Sequence, residues 1–334
     1  MNILYSCDDK YSPFTGVSIT SLFENNRALR EINVYILALS ISEENERKFN
    51  QLAEQYNRNL IIVDAGEIDK FFEDSGAILW HGSRTTYYRL FIERVIHGDL
   101  EKILYIDSDT IIAGSLEELE QTEFEENKAL AMILWPMYKK YNTFIGLKEE
   151  DLYCNAGVIL FDMINWKRLK CSERIMNSIN KGYVNFRQHD QDLLCHTLNE
   201  NIKILPPKYN VLSIWSDLGI RNLYHYSDAN ESNFYSKEEV VKAMNNPVIL
   251  HAMEGHSRVP WVEGNRNPFR EEWHMYKEMS LWSGITQVKE KTTLVKKIRN
   301  AMFAVLPRTL FSRISKVYAV WDIKRHYRKC GHFN

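Results

Sequence analysis

The sequence predicts an α/β fold, in which a mixed, mostly parallel β-sheet is flanked by helices and followed by a basic helical C-terminal segment. Short apolar runs alternate with amphipathic stretches, which is the pattern of strands joined by crossover helices. Basic residues then accumulate after residue 285, where the strand-like runs have ended. A single large domain with an appended tail follows from these two observations.

The N-terminal part of the chain supplies the parallel pattern. Apolar runs rich in β-branched and aromatic residues predict strands at 2–6, 32–39 and 59–65. Amphipathic stretches predict helices near 17–26 and at 42–56. Ser42 precedes two glutamates, so we expect it to be the N-cap of the second helix.

The same alternation continues into the middle of the chain. Further strands are predicted at 102–107, 129–134, 157–161 and 247–251. Further helices are predicted at 85–96, 164–180 and 188–199.

Composition predicts an ordinary globular protein of the cytoplasm. Of its 334 residues 45% are hydrophobic and 26% are charged. No apolar run reaches the roughly 18 residues that a membrane-spanning helix needs, and no signal-peptide run precedes Asp8. The five cysteines have no metal-knuckle spacing, which predicts buried or free thiols in a reducing compartment. They are Cys7, Cys154, Cys171, Cys195 and Cys330.

Charge divides the chain into an acidic body, 1–285, and a basic segment, 286–334. The segment holds twelve Lys or Arg and two acids, so its charge is about +10 and that of the body about −12. Apolar residues recur at three- and four-residue steps over 294–306, Pro307 breaks the run, and a basic, aromatic stretch follows at 310–327, which together predict one or two amphipathic helices. These helices could lie on an anionic membrane surface, or pack on the protein or on a second subunit. The acidic body and the absence of a recognisable motif argue against a nucleic-acid partner.

The acidic pair Asp107 and Asp109 closes the strand at 102–107. Residues i and i+2 of an extended chain point to the same side, so both carboxylates can face one cation. They lie at the carboxyl end of a strand, where open α/β sheets bind ligands. The spacing alone also suits two solvated loop acids.

Further segments make the sequence resemble glycosyltransferase family 8, which includes bacterial lipopolysaccharide galactosyl- and glucosyltransferases and glycogenin. Five segments match closely: NILYSCDDKY (2–11), TTYYRL (85–90), KILYIDSDTIIAGSLEEL (102–119), YCNAGVILFD (153–162) and HDQD (189–192). A sixth segment, from His251 to Trp261, matches less closely. The resemblance implies a nucleotide-sugar-binding fold of the glycosyltransferase A type, a UDP-sugar donor and retention of anomeric configuration.

The resemblance also implies a metal site made of Asp107, Asp109 and His251. An imidazole beside two carboxylates shifts the preference from Mg²⁺ toward Mn²⁺, so Mn²⁺ is expected and Mg²⁺ is the alternative. His251 could instead be a strand-end histidine satisfied in the core.

The nucleotide is expected along the first strand and the loop after it. By resemblance these residues border uracil and ribose, with Asp8 accepting a hydrogen bond and Tyr11 offering an aromatic face. Tyr11 could instead serve only loop packing. The donor-binding residues of this part are Ser6, Asp8, Lys10, Tyr11 and Ser108.

The sugar is expected on a second group of residues. The family's arginine, here Arg89, contacts donor sugar and phosphate, while Asp190 and Gln191 face the sugar hydroxyls and the reacting carbon. These three are the expected catalytic residues, although each could instead be an exposed polar side chain. The segment that lines the sugar is Asn155, Ala156 and Gly157, the glycine allowing close backbone approach.

The last motif departs from the family, whose pattern is a histidine, a glycine three residues later, and then Lys-Pro-Trp. Here one extra residue precedes Gly255 and another precedes Pro260. Arg258 keeps the spacing of the lysine from the glycine and is expected to bind the diphosphate, with His256 as its competitor.

The resemblance implies a metal-dependent, retaining hexosyltransferase. It would move galactose or glucose from UDP to a glycan, lipid-linked or glycoprotein acceptor in cell-surface polysaccharide synthesis, at the inner face of the membrane if the basic segment binds there. Gln191 is a poor nucleophile, which favours front-face transfer over double displacement. The alternative is a non-catalytic UDP-sugar-binding or scaffold protein with the same fold.

Overall fold

The computed structural model of the chain describes residues 1–79, 82–96, 98, 100–138, 140–289 and 293–329. Within these ranges the strands are β1 Asn2–Ser6, β2 Asn33–Ala38, β3 Asn59–Asp64, β4 Lys102–Ile106, β5 Thr110–Ile112, β6 Leu130–Leu134, β7 Cys154–Asp162, β8 Ile202–Ile204, β9 Val211–Leu212 and β10 Ile249–His251.

The same ranges contain helices of four to twenty-two residues. They are α1 Ser12–Asn25, α2 Glu43–Gln55, α3 Gly66–Asp74, α4 Ile92–Val95, α5 Glu117–Glu120, α6 Tyr141–Phe144, α7 Met163–Arg168, α8 Cys171–Asn180, α9 His189–Leu198, α10 Ser213–Leu218, α11 Ile220–Ser227, α12 Lys237–Asn245, α13 Arg270–Met279, α14 Leu294–Val305 and α15 Arg308–Lys329. Short 3₁₀ helices span Thr85–Phe91, Tyr183–Asn185, Asn199–Asn201 and Pro207–Tyr209.

A seven-stranded sheet in the order β3-β2-β1-β4-β7-β6-β8 forms the centre of the described chain. The pairings of β1 with β2 and β4, of β2 with β3 and of β6 with β8 are parallel, while β7 runs antiparallel to β4 and β6. This mixed, mostly parallel sheet with flanking helices confirms the predicted fold class. β1, β4, β6 and β7 are almost completely buried, which explains their continuous apolar sequences.

A second, three-stranded sheet has the order β5-β10-β9 and positions the functional residues. β10 runs antiparallel to β5, and their register places His251 opposite Thr110. The chain reaches Thr110 directly from Asp109, so this register brings His251 to the acidic pair. A strand was predicted near β10, but its membership of a separate small sheet was not.

Several predicted helices have different limits. The helix expected from residue 17 begins at Ser12, because Pro13 suits a first helical turn. The segment expected as one helix at 85–96 is a 3₁₀ helix followed by the short α4. The segment 164–180 is split at Lys170, whose φ of 53° interrupts the helix. Ser42 is confirmed as an N-cap, since its side chain accepts a hydrogen bond from the Asn45 N–H.

The C-terminal helices pack on the body of the protein. α15 lies against α11, and Phe311 and Tyr327 are fully buried. The break between α14 and α15 falls at Pro307, as predicted. The division of the chain at residue 285 stays a prediction.

Four of the five cysteines lie in the described ranges, where they are buried and free, as predicted, whereas Cys330 lies outside them. None of the helices in the described ranges combines the length and apolar character that a membrane crossing requires.

Candidate active site

Two adjoining cavities open at the carboxyl ends of β1 and β4. The larger has a volume of about 610 Å³ and the smaller of about 120 Å³. They share the walls formed by Tyr11, Thr86, Asp107 and Asp109. The predicted site residues that line at least one of them are Ser6, Asp8, Lys10, Tyr11, Arg89, Asp107, Ser108, Asp109, Asn155, Ala156, Gly157, Asp190, Gln191, His251 and Arg258.

Asp107, Asp109 and His251 converge on one wall of the larger cavity. One ligand atom from each residue lies within 4.8 Å of those of the other two. The His251 Nε2 atom is 3.1 Å from Asp109 Oδ1 and 3.9 Å from Asp107 Oδ2. Burial opposes charge on the His251 imidazole, yet the nearby carboxylates raise its pKa.

The orientation of the His251 ring suits a metal ligand. Its Nδ1 atom lies 2.9 Å from Asn210 Oδ1, and a hydrogen bond donated to that oxygen leaves the lone pair on Nε2 facing the carboxylates. Two carboxylate oxygens and one imidazole nitrogen therefore form a donor set that fits a divalent cation with open positions for phosphate oxygens.

Arg89 joins the acidic pair to the N-terminal end of α9. Its Nη1 lies 3.1 Å from Asp107 Oδ1 and its Nε lies 3.0 Å from Asp190 Oδ2. The guanidinium also donates to the Ala156 carbonyl and lies over the Tyr105 ring, 4.0 Å from its centroid. Burial would lower the pKa of Arg89, but the two carboxylates raise it above its usual value. The side chain is therefore a fixed cation, not the exposed arginine of the alternative interpretation.

Asp190 is buried beside this cation. Burial raises the pKa of its carboxyl to about 7; the Arg89 guanidinium opposes that rise and Asp107 adds to it. A carboxyl with such a pKa can hold or release a proton near neutral pH.

Gln191 is held by hydrogen bonds at both ends of its amide. Its Oε1 accepts from Asn155 Nδ2 and from the Ala156 N–H, each at 3.0 Å. Its Nε2 donates to the Tyr153 hydroxyl at 2.9 Å. Because both donors on Oε1 come from the segment that lines the cavity, the amide and that segment form one rigid wall.

The smaller cavity holds most of the residues expected to bind the nucleotide. The Ser6 Oγ is buried there and has no hydrogen-bond partner in the described protein. Ser108 Oγ accepts from the Thr15 hydroxyl at 2.8 Å. Tyr11 is 37% exposed and packs edge-on against Phe14, so one ring serves both packing and the cavity wall.

The altered loop after β10 places its two candidate cations differently. Arg258 lines the larger cavity and adopts a φ of 65°. His256 packs between Phe303 and Phe311 of the C-terminal helices. Burial lowers its pKa to about 4, so it is neutral at pH 7. Gly255 is outside the lining of both cavities.

Gly255 lies against Asp217 of α10 and does not face the cavities. A Cβ built on it would lie 3.3 Å from an Asp217 carboxylate oxygen. The same oxygen accepts from the Ser257 N–H at 3.1 Å. The turn is therefore anchored on α10.

Several residues in and behind the wall of the larger cavity were not predicted from the sequence. Lys296 of α14 lines the larger cavity and pairs with Glu254, so the C-terminal segment contributes to its wall. Asn210 and Tyr153 orient His251 and Gln191. Tyr153 is the first residue of the matched segment 153–162, which could have marked it, whereas Asn210 and Lys296 carry no local signal.

Known proteins resemble this chain in sequence and in fold. Lipopolysaccharide 1,2-glucosyltransferase of Escherichia coli K12 is 29% identical over 233 residues, which are 68% of this chain and 67% of the relative. Lipopolysaccharide 1,3-galactosyltransferase of Salmonella typhimurium LT2 is 25% identical over 63% of each chain, so more than a third of that relative is unmatched. The solved structure of the galactosyltransferase LgtC with donor and acceptor sugar analogues has a TM-score of 0.67. It is 22% identical and covers 84% of this chain and 96% of LgtC.

The LgtC likeness shows the fold alone, at that level of identity. The family itself is shown by sequence, because the family model described as Glycosyl transferase family 8 matches residues 2–261. That match spans β1 to β10 and the loop that carries Arg258. The chain therefore belongs to glycosyl transferase family 8 and is a glycosyltransferase.

Proposed function

We propose that this protein is a metal-dependent, retaining hexosyltransferase that moves galactose or glucose from a UDP-sugar to a glycan acceptor. The observation that carries the proposal is the convergence of Asp107, Asp109 and His251 on the wall of a cavity that also presents Arg89 and Gln191. Cation ligands, a fixed guanidinium and a rigid amide in one cavity are what transfer from a nucleotide diphosphate requires.

Mn²⁺ is the proposed metal, with Mg²⁺ as the alternative. The imidazole of His251 supports Mn²⁺, since Mg²⁺ favours oxygen ligands. When bound, the cation would supply positive charge against the diphosphate oxygens as negative charge develops on the leaving group. Asp107, Asp109 and His251 would hold it.

The two cavities suggest how the donor would lie. The smaller cavity, with Ser6, Asp8 and Tyr11, would take the uridine, and the unpartnered Ser6 hydroxyl supports a polar ligand there. The shared wall at Asp107 and Asp109 would then meet the diphosphate, and the larger cavity would hold the sugar.

Positive charge from the loop side would complete the diphosphate site. Arg258 lines the larger cavity, whereas the neutral, packed His256 does not. We therefore keep Arg258 as the diphosphate-binding residue and add Lys296 of α14 as a second cation on the same wall.

The hydrogen bonds that Gln191 makes support retention by front-face transfer. Its carbonyl oxygen already accepts two hydrogen bonds from the cavity wall, which makes it a still weaker nucleophile. Asp190, the neighbouring carboxyl, is paired with Arg89. The proposed role of Gln191 is to hold the sugar face, and that of Asp190 and Arg89 to bind sugar hydroxyls and phosphate.

The acceptor is proposed from the relatives, four of which are lipopolysaccharide glucosyl- or galactosyltransferases. A lipid-linked glycan is the leading proposal and a glycoprotein the alternative. Such an acceptor would place the enzyme at the cytoplasmic face of a membrane, where the basic C-terminal segment would meet anionic lipid.

A UDP-release assay tests the function without knowledge of the acceptor. We expect the purified protein to hydrolyse UDP-galactose or UDP-glucose with Mn²⁺, and to stop when the metal is chelated. Parallel assays with UDP-N-acetylglucosamine and UDP-xylose would identify the donor. Donor binding by calorimetry with no release of UDP from any donor, even with acceptor glycans added, would favour the non-catalytic alternative.

A further inference from the structure

The last turns of α15 carry a fully buried tyrosine, although other side chains of this helix are largely exposed. Tyr327 is 0% exposed, although Val317 and Trp321 on the same helix are 72% and 52% exposed. The ring of Tyr327 stacks on Phe144, with centroids 5.3 Å apart and planes at 15°. α15 lies beyond the residues that the family model matches, so this tyrosine is outside the motifs that define the site.

The Tyr327 hydroxyl reaches a buried carboxylate behind the active site. It donates to Asp192 Oδ2 at 3.3 Å and lies 3.4 Å from the Tyr141 hydroxyl. Asp192 is 0% exposed and also accepts from the Tyr141 hydroxyl at 2.6 Å and the Gln188 N–H at 2.8 Å. A buried carboxylate with this many donors is fixed in one orientation.

The same carboxylate leads directly to the cavity. Its Oδ1 accepts from the Tyr153 hydroxyl at 2.5 Å, and that hydroxyl accepts from Gln191 Nε2 at 2.9 Å. Three hydrogen bonds thus connect Tyr327 to Asp192, Asp192 to Tyr153, and Tyr153 to Gln191.

A second contact fixes the same part of α15 on the segment before α9. Asp322 forms an ion pair with Arg187, and the Tyr327 hydroxyl accepts from the Arg187 N–H at 3.4 Å. Gln188 follows directly, and α9, with Asp190 and Gln191, begins one residue later. The end of α15 therefore contacts both the entry to α9 and the carboxylate inside it.

We propose that Tyr327 is a positioning residue of the active site, which holds Gln191 in place through Asp192 and Tyr153, so that α15 belongs to the catalytic unit. The inference rests on the proposed function, because it concerns the turnover of the UDP-sugar. Without the Tyr327 hydroxyl, Asp192 loses one of its four hydrogen-bond donors, so the carboxylate and the Tyr153 hydroxyl that holds Gln191 Nε2 are less firmly fixed. Donor binding, which the metal and phosphate ligands govern, is not affected.

The test compares Tyr327→Phe with Tyr318→Phe. The control removes the same hydroxyl from the same helix at a side chain that is 46% exposed. For Tyr327→Phe we expect kcat for UDP-sugar turnover to fall about tenfold, as for the loss of one buried hydrogen bond, with KM for the donor unchanged. Tyr318→Phe should match the wild type in both constants.

A second readout does not depend on turnover. Burial raises the pKa of Asp192 to about 6, and the hydrogen bonds from Tyr141, Tyr153, the Gln188 N–H and Tyr327 oppose the rise. The fold is therefore more stable with Asp192 protonated, and this contribution to the free energy of unfolding is lost as pH rises through about 6. Tyr327→Phe should raise the pKa of Asp192 further. The melting temperature of the variant should therefore fall further below that of the wild type as pH rises from 5 to 8. The titratable or charged groups around Asp192 are Tyr87, Tyr141, Tyr153, Arg187, Asp190, Cys195 and Tyr327.

The outcomes separate this inference from the function on which it rests. An unchanged kcat in Tyr327→Phe, with a wild type that turns over, would overturn the positioning role, and a pH-independent stability deficit would overturn the link to Asp192. A wild type that releases no UDP from any donor would overturn the proposed function instead.

Discussion

The Cε1 atom of His251 occupies the space in which residue 157 would carry a side chain. A Cβ built on Gly157 lies 2.3 Å from that atom and 2.7 Å from His251 Nδ1, closer than real Cβ atoms approach. The glycine therefore admits the imidazole to the cluster with Asp107 and Asp109, the proposed metal site. The resemblance implied a sugar close to this glycine, whereas in the structure a histidine ring packs against it.

Gly157→Ala should accordingly disable the metal site. The added methyl must push the imidazole away from Asp109 or strain β7, and overpacking of this kind costs about 1–3 kcal/mol. We expect Mn²⁺-dependent UDP release to fall at least about tenfold, within the range seen when residues that position metal ligands are changed. Gly284→Ala is the control, because a Cβ there meets nothing within 4 Å. Equal Mn²⁺ affinity and equal turnover in the two variants would contradict the steric argument.

Asp109→Asn tests the metal ligands themselves. The change keeps the shape of the side chain and removes one anionic ligand. We expect Mn²⁺ affinity, measured by calorimetry, to fall more than about 100-fold, which exceeds the usual effect of changing a residue that only hydrogen-bonds to a metal ligand. Turnover at fixed Mn²⁺ should disappear, while the melting temperature stays near that of the wild type. Asp74→Asn, at an exposed side chain of α3, is the matched control. Near-normal activity of Asp109→Asn with Mn²⁺ would refute the assignment.

The strands β1, β4, β6 and β7 could be predicted because burial on both faces leaves an unbroken apolar sequence. β5, β8 and β9 were missed, since two or three residues are too short to show periodicity. The split near Lys170 was also missed, because the amphipathic pattern continues across a residue whose backbone φ is 53°.

The site could be predicted as far as matched motifs reach. Asp107, Asp109 and His251 were expected together, and the structure brings them together. Asn210 and Tyr327 were not expected, because each contacts a partner that is distant in sequence, and no local pattern encodes such a pair. For the same reason His256 was a plausible cation in the sequence, although in the fold it packs against the aromatic rings of the C-terminal helices.

Arg258→Ala and His256→Ala should affect different properties, the first UDP binding and the second stability. Loss of the Arg258 guanidinium from the cavity should weaken UDP binding by about 1–3 kcal/mol, the range for a hydrogen bond to a charged group. His256 is neutral and packed between Phe303 and Phe311, so its removal should lower the melting temperature and leave UDP affinity nearly unchanged. Calorimetric titration with UDP and Mn²⁺ measures the first effect and thermal unfolding the second. The reverse ranking of UDP affinities would show that the loop presents the other residue.

The outer face of α15 carries an apolar stripe that the packing of the helix leaves exposed. Its members recur at three-, four- and one-residue steps, so they share one face of the helix. They are Leu310, Ile314, Val317, Tyr318 and Trp321, each between 40% and 72% exposed. The two sequence-based alternatives for the C-terminal segment are thus compatible, since one face of α15 packs on the protein while the other could enter a lipid surface.

Membrane attachment through this stripe can be tested without removing the helix. Deletion of residues 286–334 would strip Phe311 and Tyr327 from their buried contacts, so it would confound attachment with folding. The double variant Val317→Ser with Trp321→Ser changes only exposed positions and keeps the basic charge. We expect it to lose most of its sedimentation with phosphatidylserine-containing vesicles at low salt, while UDP release in solution is retained.

The control is Ile164→Ser, at a 59% exposed side chain of α7, which should still sediment with the vesicles. Because each basic residue near such a surface contributes about 1 kcal/mol, binding should also weaken as salt rises. Wild-type protein that ignores these vesicles, or a double variant that binds them equally, would exclude the stripe as the attachment surface.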